Sequence, residues 1–479
     1  MGEGSNRSGR TTRTARGACE AEAPPSGKGR KPRPRSGLLD TTRIKESSRI
    51  PDSSGDNQMD VLEERWSRRA ERLDMMRFLY RNSTLERVRK CGRVAVGDVS
   101  IDVGTPVQGG PRVAGFRGLA TCTSVWACPT CGPKIGRVRA DEIRQALDAH
   151  ARRGGHALFM TLTMHHHLGV SLSQLWDGLQ AAWRSLRQRK TWKLLRKVGI
   201  HDLRVFEATV SEVTGWHPHF HIVLFVPDEG AEDLVLRNWT KLQREWSAAV
   251  EAQGRYADHK GQDLQVIDLH AGSTDEVDNT ALADYVSKIS SSWDIPSEVA
   301  RGSEKRSRKG NRTPFQVLAD LVSEEGDFDE DARSRDLAIW REWEKVTHDR
   351  RQVTWSRGLR EELGVKESKV DDESVSQPDD VPNEVVKMHS IAGMLPSEWS
   401  KLNRNQQLSM KEELLRVAEL SSADTISASL RAVCDSYGVQ LLIGEDWICH
   451  RLFQHRPYGD RYQYAVIRYA KSRRKAVVA

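Results

Sequence analysis

No run in this 479-residue chain approaches the roughly 18 consecutive apolar residues that a membrane-spanning helix needs. The opening residues, Met1-Gly2-Glu3-Gly4-Ser5, carry no apolar h-region, so nothing in them indicates export. A Met1-Gly2 pair with no second anchor is too little for lipid attachment. Internal repeats are absent, and so is any glycine-rich phosphate loop of the helicase kind. These absences lead to the expectation of a cytoplasmic protein without a membrane partner. Cysteine is sparse: of the seven, Cys19, Cys434 and Cys449 are scattered, which argues against a disulfide framework.

What is present is enough for two or three domains, with 38% hydrophobic residues to build cores. The formal net charge of +7 is unevenly spread: residues 1–50 carry 12 Lys+Arg against 5 Asp+Glu. That stretch lacks hydrophobic periodicity and is rich in Gly, Ser, Pro and Arg, so residues 1–58 read as a disordered basic arm. Such an arm either attracts phosphates non-specifically or only solubilises the chain. The remaining cysteines, Cys91, Cys122, Cys128 and Cys131, cluster within residues 59–155. Cys128-x-x-Cys131 with the two earlier cysteines has the ligand spacing of a small structural Zn²⁺ site. Unligated thiols in a reducing cytoplasm are the alternative.

The most informative stretch is Gly215-Trp216-His217-Pro218-His219-Phe220-His221-Ile222-Val223-Leu224-Phe225-Val226. It reads as a buried strand, and strand side chains alternate, so His217, His219 and His221 share one face. Three imidazoles in register suggest a metal site. Arg204 to Val210 is a second strand candidate, joined by a turn at Ser211 to Gly215. A hairpin centred near Val213 sets Glu207 opposite His219 and adds a carboxylate, with Glu212 the rival in the turn. Nitrogen and oxygen ligands with open positions suit Mn²⁺ or Mg²⁺, with Zn²⁺ a further option.

Two helical segments complete the picture. Leu172, Leu175, Trp176, Leu179, Trp183 and Leu186 lie on one face of a helix that runs on into Arg184, Arg187, Lys190, Trp192 and Lys193. This basic-aromatic surface suits a DNA strand, by phosphate contact and base stacking, or else is a solvated face. Further on, Leu282, Val286, Ile289 and Trp293 define a helix core face, leaving Tyr285 and Lys288 as neighbours off it. Tyr285 is placed as a nucleophile and Lys288 as a charge stabiliser.

Three motifs in order, Phe159-Met160-Thr161-Leu162-Thr163, His219-Phe220-His221 and Tyr285-Val286-Ser287-Lys288, resemble those of the HUH endonuclease superfamily. More narrowly they resemble the rolling-circle replication initiators (Reps) of actinobacterial plasmids. Trp126-Ala127-Cys128-Pro129-Thr130-Cys131 and Trp355-Ser356-Arg357-Gly358-Leu359-Arg360 are similar to further stretches of that subgroup. The resemblance covers roughly residues 88–364. It implies a metal-dependent enzyme that nicks and rejoins origin DNA, single-stranded or hairpin, through a 5′-phosphotyrosine. The freed 3′-hydroxyl then primes synthesis, with a host helicase and replication polymerase as partners. Related initiators often carry a glutamate four residues before the tyrosine, where this chain has Ala281. Asp284 points elsewhere on the helix, and Asp278 is as well suited to an N-cap.

The expected fold is α+β, a central antiparallel sheet flanked by helices, with the disordered basic N-terminal arm and a small C-terminal domain. The catalytic domain is expected at 156–365, an acidic linker at 366–385 and a separate C-terminal segment at 386–479. Rival functions are an HUH transposase or relaxase, a non-catalytic DNA-binding regulator, and a metal-dependent hydrolase of small substrates.

Overall fold

The computed structural model describes residues 54–105, 110–267, 269, 311–323, 330–368 and 388–454. Residues 1–53 of the basic arm, Tyr285 and Lys288 with the helix expected there and Asp278, Ala281 and Asp284, most of the acidic linker, and the segment after residue 454 lie outside the described residues.

The described strands are β1 (Ala95–Gly104), β2 (Val113–Leu119), β3 (His156–Thr163), β4 (His201–Ser211), β5 (Gly215–Val226), β6 (Asp263–Ile267), β7 (Val353–Trp355), β8 (His389–Met394) and β9 (Leu442–Ile443). They form a five-stranded sheet in the order β6-β3-β5-β4-β7 and a four-stranded sheet in the order β2-β1-β8-β9. Every strand pairing in both is antiparallel. The helices used below are α1 (Ser54–Asn82), α2 (Glu86–Lys90), α3 (Cys131–Ala151), α4 (Leu172–Gln188), α5 (Lys190–Lys197), α6 (Glu229–Glu251), α7 (Pro314–Val322), α8 (Glu330–Thr347), α9 (Leu359–Leu363), α10 (Pro396–Ser400) and α11 (Arg404–Leu420). Helices thus flank antiparallel sheets, as the α+β reading expects. None of the described helices is long and apolar enough to cross a membrane.

The five-stranded sheet is buried on both faces because its central strands are apolar at successive positions. On one face Leu158, Met160, Phe206, Phe220, Ile222 and Leu224 pack against the apolar stripe of α4 and against Val235, Leu242 and Trp246 of α6. On the other, Phe159, Leu203, Val205, Val223 and Phe225 pack under Ile143 and Leu147 of α3 and Leu359 and Leu363 of α9. Each large side chain so buried contributes roughly 1.5–3 kcal/mol of apolar transfer. A capping box starts α4, in which the Ser171 side chain accepts from the Gln174 amide while Gln174 reaches back.

The four-stranded sheet joins distant parts of the chain. Residues set apart in sequence as a C-terminal segment instead pair with the N-terminal region, Ser100 opposite Gly393 and Ile101 opposite Ala392. The reason is a shared core: Val99, Ile101 and Val103 of β1 need cover, and Met394, Trp399, Met410 and Leu414 supply it. A buried ion pair locks the arrangement, since Glu419 on α11 accepts from Arg69 on α1 at 2.7 and 3.0 Å. Trp66 Nε1 donates to the same carboxylate at 2.8 Å.

Candidate metal centre and nucleic-acid interface

The hairpin of β4 and β5 has the register read from its sequence, with Glu207 opposite His219, Val205 opposite His221 and Thr209 opposite His217. Gly215 opens β5 with φ +77°, a conformation that favours glycine, and a Cβ there would lie 3.3 Å from the His167 carbonyl oxygen. Trp216, on the opposite face from the histidines, donates Nε1–H to Glu342 on α8 at 2.8 Å. The other oxygen of Glu342 accepts from the first amide of α4 at 2.7 Å, so the hairpin is anchored to two helices.

The face that carries Phe225 and Val223 under α3 and α9 continues as His221, His219 and His217. Glu207, His219 and His221 come together, each offering a ligand atom, all within 4.8 Å of one another. His219 Nε2 and His221 Nε2 lie 3.3 and 3.2 Å from the same oxygen, Glu207 Oε2. The far side of each ring is also placed. His219 Nδ1 faces the His217 carbonyl at 3.4 Å, and since a carbonyl only accepts, Nδ1 donates there while Nε2 points to Glu207. His221 Nδ1 meets Thr161 Oγ1 at 3.2 Å, and the ring stacks on Phe159. Thr161 and Thr163 sit opposite His221 and His219 on β3, which is how the Thr-Leu-Thr strand joins the site. Burial pushes the His221 pKa down from 6.5 and so favours the neutral ring. Burial would raise the Glu207 carboxyl, but the charge and hydrogen bonds of the two histidines outweigh it and hold it at about 2.

His217, expected as a fourth ligand, is not in this group. Its Nδ1 meets His166 Nε2 at 2.5 Å, drawn away by a loop that follows β3. The sequence signal was the run His165-His166-His167 that follows Thr163 and Met164, whose role went unread. Glu212, the rival carboxylate, sits in the turn 3.7 Å from Arg312 Nη2, away from the histidines.

The four clustered cysteines also converge. Cys91 caps the C-terminus of α2, Cys131 begins α3, and Cys122 and Cys128 precede it. All four are buried, with ligand atoms within 4.8 Å of one another. Cys91 Sγ lies 3.4 Å from Cys131 Sγ and 3.7 Å from Cys128 Sγ. The Cys131 amide donates to Cys128 Sγ at 3.3 Å. Hydrogen bonds from Cys122, Cys128 and Cys91 hold the Cys131 thiol well below its ordinary range, while burial pushes Cys128 well above it.

The basic-aromatic helix is two helices, α4 and α5, broken at Arg189, which is extended at φ −71°, ψ 155°. The break corrects one expectation. Trp192 turns inward, only 2% exposed, and meets Trp183 edge-on at 4.9 Å, so it is a core residue without a free face for a base. Arg184, Lys190 and Lys193 are exposed, and Arg187 is half-buried. Tyr285 and Lys288 lie outside the described residues.

The profile of a family described as "Replication protein" matches residues 116–406, which is more than half of the chain. The chain belongs to the replication protein family. The family's matched region takes in β2 to the start of α11, and so holds the whole histidine hairpin and three of the four clustered cysteines. A protein rep of Streptomyces lividans is 28% identical over 300 residues, covering 52% of this chain and 64% of that protein. Another, of Lentilactobacillus hilgardii, is 28% identical over 26% of this chain and 40% of its own length. A neomycin resistance protein of Streptomyces cyanogenus is 30% identical over 135 residues, or 23% of this chain and 31% of the other. This chain therefore spans less than two thirds of the relatives it matches. No solved structure matches. The resemblance to actinobacterial plasmid Reps read from the motifs agrees with this membership.

Proposed function

We propose that this protein initiates plasmid rolling-circle replication by nicking and rejoining one strand of its origin DNA on the histidine face of an HUH-type sheet. Family membership supports the role in plasmid replication. The observation that carries the chemistry is the convergence of two imidazole Nε2 atoms on one carboxylate oxygen where helix cover of the sheet face ends. Without metal the two imidazoles can hydrogen-bond the carboxylate; with both Nε2 atoms deprotonated the same three atoms would offer lone pairs to one cation. Separations of 3.2 and 3.3 Å fit neighbouring ligands of a Mn²⁺- or Mg²⁺-sized ion, which stand about 3.0 Å apart for bonds of about 2.1 Å. Glu207, His219 and His221 would hold the ion, leaving positions for substrate oxygens. Bound there, the ion supplies Lewis acidity at a phosphodiester. Thr161 and the His217 carbonyl hold the imidazoles in the ligating tautomer.

In this reading the Tyr285 oxygen attacks the phosphorus, its bond to the 5′-phosphate forms as the bond to the 3′-oxygen breaks, and the released 3′-hydroxyl primes a host polymerase. Lys288 stabilises the phenolate or the phosphate charge. The exposed cations Arg184, Lys190 and Lys193, with the half-buried Arg187, contact backbone phosphates of single-stranded or hairpin DNA. The test is incubation of the full chain with 3′-labelled plasmid-origin single strands and Mn²⁺, because the tyrosine keeps the fragment that carries the 3′ end. A covalent protein–5′-DNA adduct is expected, and Tyr285→Phe abolishes it while DNA binding persists. An undiminished adduct in Tyr285→Phe overturns the assignment, and no adduct with the parent overturns the nicking reading.

The cysteine group supports a second cofactor, a structural Zn²⁺. A tetrahedron of Zn–S bonds about 2.3 Å long sets the sulfurs about 3.8 Å apart. The separations of 3.4 and 3.7 Å are close to this and far from a disulfide's. Full burial and four protein donors leave no open position, which suits a structural ion.

A further inference from the structure

Behind the sheet, on the face opposite Glu207 and the histidines, lies an open cleft of about 420 Å³ beside the edge strand β7. Trp176, Gln180 and Arg184 reach it from α4, one helical turn apart each, and Arg204 reaches it from β4. Arg350 and Arg351 close it from the segment before β7. Four guanidinium groups thus line it against one carboxylate, Asp177, which Arg350 already engages at 3.0 Å.

Arg204 is the decisive member. It is 8% exposed, and its Nη1 is buried with no hydrogen-bond partner among the described residues. Its guanidinium lies over the Phe220 ring at 4.4 Å and the Trp183 ring at 5.3 Å, which holds the group in place without satisfying its N–H donors. The charge of Asp202, two residues away on the same strand face, favours the cation, but the two make no direct ion pair, and Asp202 lies 4.0 Å from Arg187. Burial lowers the Arg204 pKa to about 10, which leaves it cationic at neutral pH. A buried guanidinium with an orphaned donor is costly unless something negative completes it, and its planar fork matches phosphate oxygens.

We propose that this cleft is a phosphate seat, in which Arg204 and Arg184, with Arg350 and Arg351 at the rim, grip a backbone phosphodiester of the DNA on which the protein acts. The proposal rests on the DNA-acting reading above. Strand alternation puts Arg204 and Glu207 on opposite faces, so the phosphate held here is not the one cut. The seat positions the nucleic acid around the β7 edge and carries no base information of its own.

The test measures binding of a fluorescent single-stranded oligonucleotide by anisotropy, in EDTA, across a salt series. Without metal there is no cleavage, so the outcome is independent of whether Tyr285 forms an adduct. Arg184→Ala with Arg351→Ala, both exposed, is expected to weaken binding at every sequence. It also flattens the slope of log K against log salt by about 0.7 per lost contact. Arg204→Lys keeps the charge but not the fork and is expected to bind about tenfold more weakly. Circular dichroism melts check that each variant folds; should Arg204→Lys melt early, the Arg184→Ala/Arg351→Ala variant alone decides. Parent-like affinity and slope in the folded variants overturn the proposal. If inorganic phosphate stabilises the parent but not Arg204→Lys while DNA binding is unchanged in all variants, the cleft holds a free anion and the DNA assignment is overturned.

Discussion

The two groups of potential metal ligands differ in donor chemistry, burial and origin in the chain. The cysteine group offers four sulfurs, all buried, gathered from segments 40 residues apart between α2 and the start of α3. The histidine group offers two nitrogens and an oxygen, and its side chains retain between 9% and 18% exposure. Its donors come from one hairpin, where register alone sets Glu207 beside His219. A cation in the first group is enclosed by protein and closes a loop; one in the second keeps positions for a substrate. In the function proposed above, fold maintenance would belong to the sulfurs and chemistry to the hairpin. The comparison breaks if either group proves to do the other's work.

The largest effect is expected at the cysteines. Cys128→Ser with Cys131→Ser should remove one equivalent of zinc, read by elemental analysis of the purified protein. Structural zinc contributes on the order of 10 kcal/mol in small zinc-folded peptides; here the surrounding core, with Met76, Leu79 and Trp126, reduces the loss to several kcal/mol. Thermal or denaturant unfolding checks this. A parent protein that binds no zinc, or a double variant with unchanged melting, would leave the four thiols as ordinary core residues.

His219→Ala and His221→Ala should act the opposite way. Each is expected to lower metal-dependent cleavage by about 10³-fold, or about 4 kcal/mol, while melting shifts little. The hairpin keeps its other cross-strand pairs, so the fold is not at stake. Calorimetric titration with Mn²⁺ reads the cause directly, and unchanged affinity in both variants would remove the metal from this site.

Acid should separate the groups further. His221 has a folded pKa below its ordinary 6.5 because burial favours the neutral ring. Its stabilising contribution is therefore present above pH 6.5 and is lost as pH falls through and below that value. Glu207, held at about 2 against an ordinary 4.5, stays ionised throughout this window, and its own contribution fades only between those two values. Mn²⁺ affinity should hold above pH 7 and fall by up to about tenfold per unit below about 6.5, as imidazoles protonate. Glu207→Gln removes a hydrogen bond that raises His221, so what affinity remains should fall at lower pH than in the parent. A flat affinity between pH 7.5 and 5 would refute histidine ligation.

Much of the candidate site was legible because strands obey a period of two and the connecting turn is short. Glu207 could be set opposite His219 from the positions of Ser211 and Gly215 alone, and the clustering of Cys91, Cys122, Cys128 and Cys131 pointed to their meeting. The helix break at Arg189 was not legible, since Trp192 and Lys193 fit a continuous periodic surface until Trp183 takes Trp192 into the core. Nor was the pairing of β1 with β8, because neither strand carries a sign of its partner nearly 300 residues away. The Arg69–Glu419 pair that supports it is visible only once the helices are packed. His166 was missed for a related reason: a loop imidazole has no periodicity from which its direction can be read.

The smallest effect is expected at His217, which shares the face of His219 and His221 and lies nearest the mouth of the strand. Its side chain engages His166, and what it gives the metal group is its backbone carbonyl, which receives His219 Nδ1. Alanine keeps that carbonyl. His217→Ala should therefore lower Mn²⁺ affinity by less than about threefold, or about 0.7 kcal/mol, through looser seating of the neighbouring ring. His166→Ala should have an effect of the same size, and the double variant should be no worse than either, since one contact is lost in all three. Mn²⁺ titration of the three variants measures this. A loss at His217 as large as at His219 would mean that the ring swings from His166 onto the ion when metal binds, and the hairpin group would then offer four donors, matching the cysteine group in number.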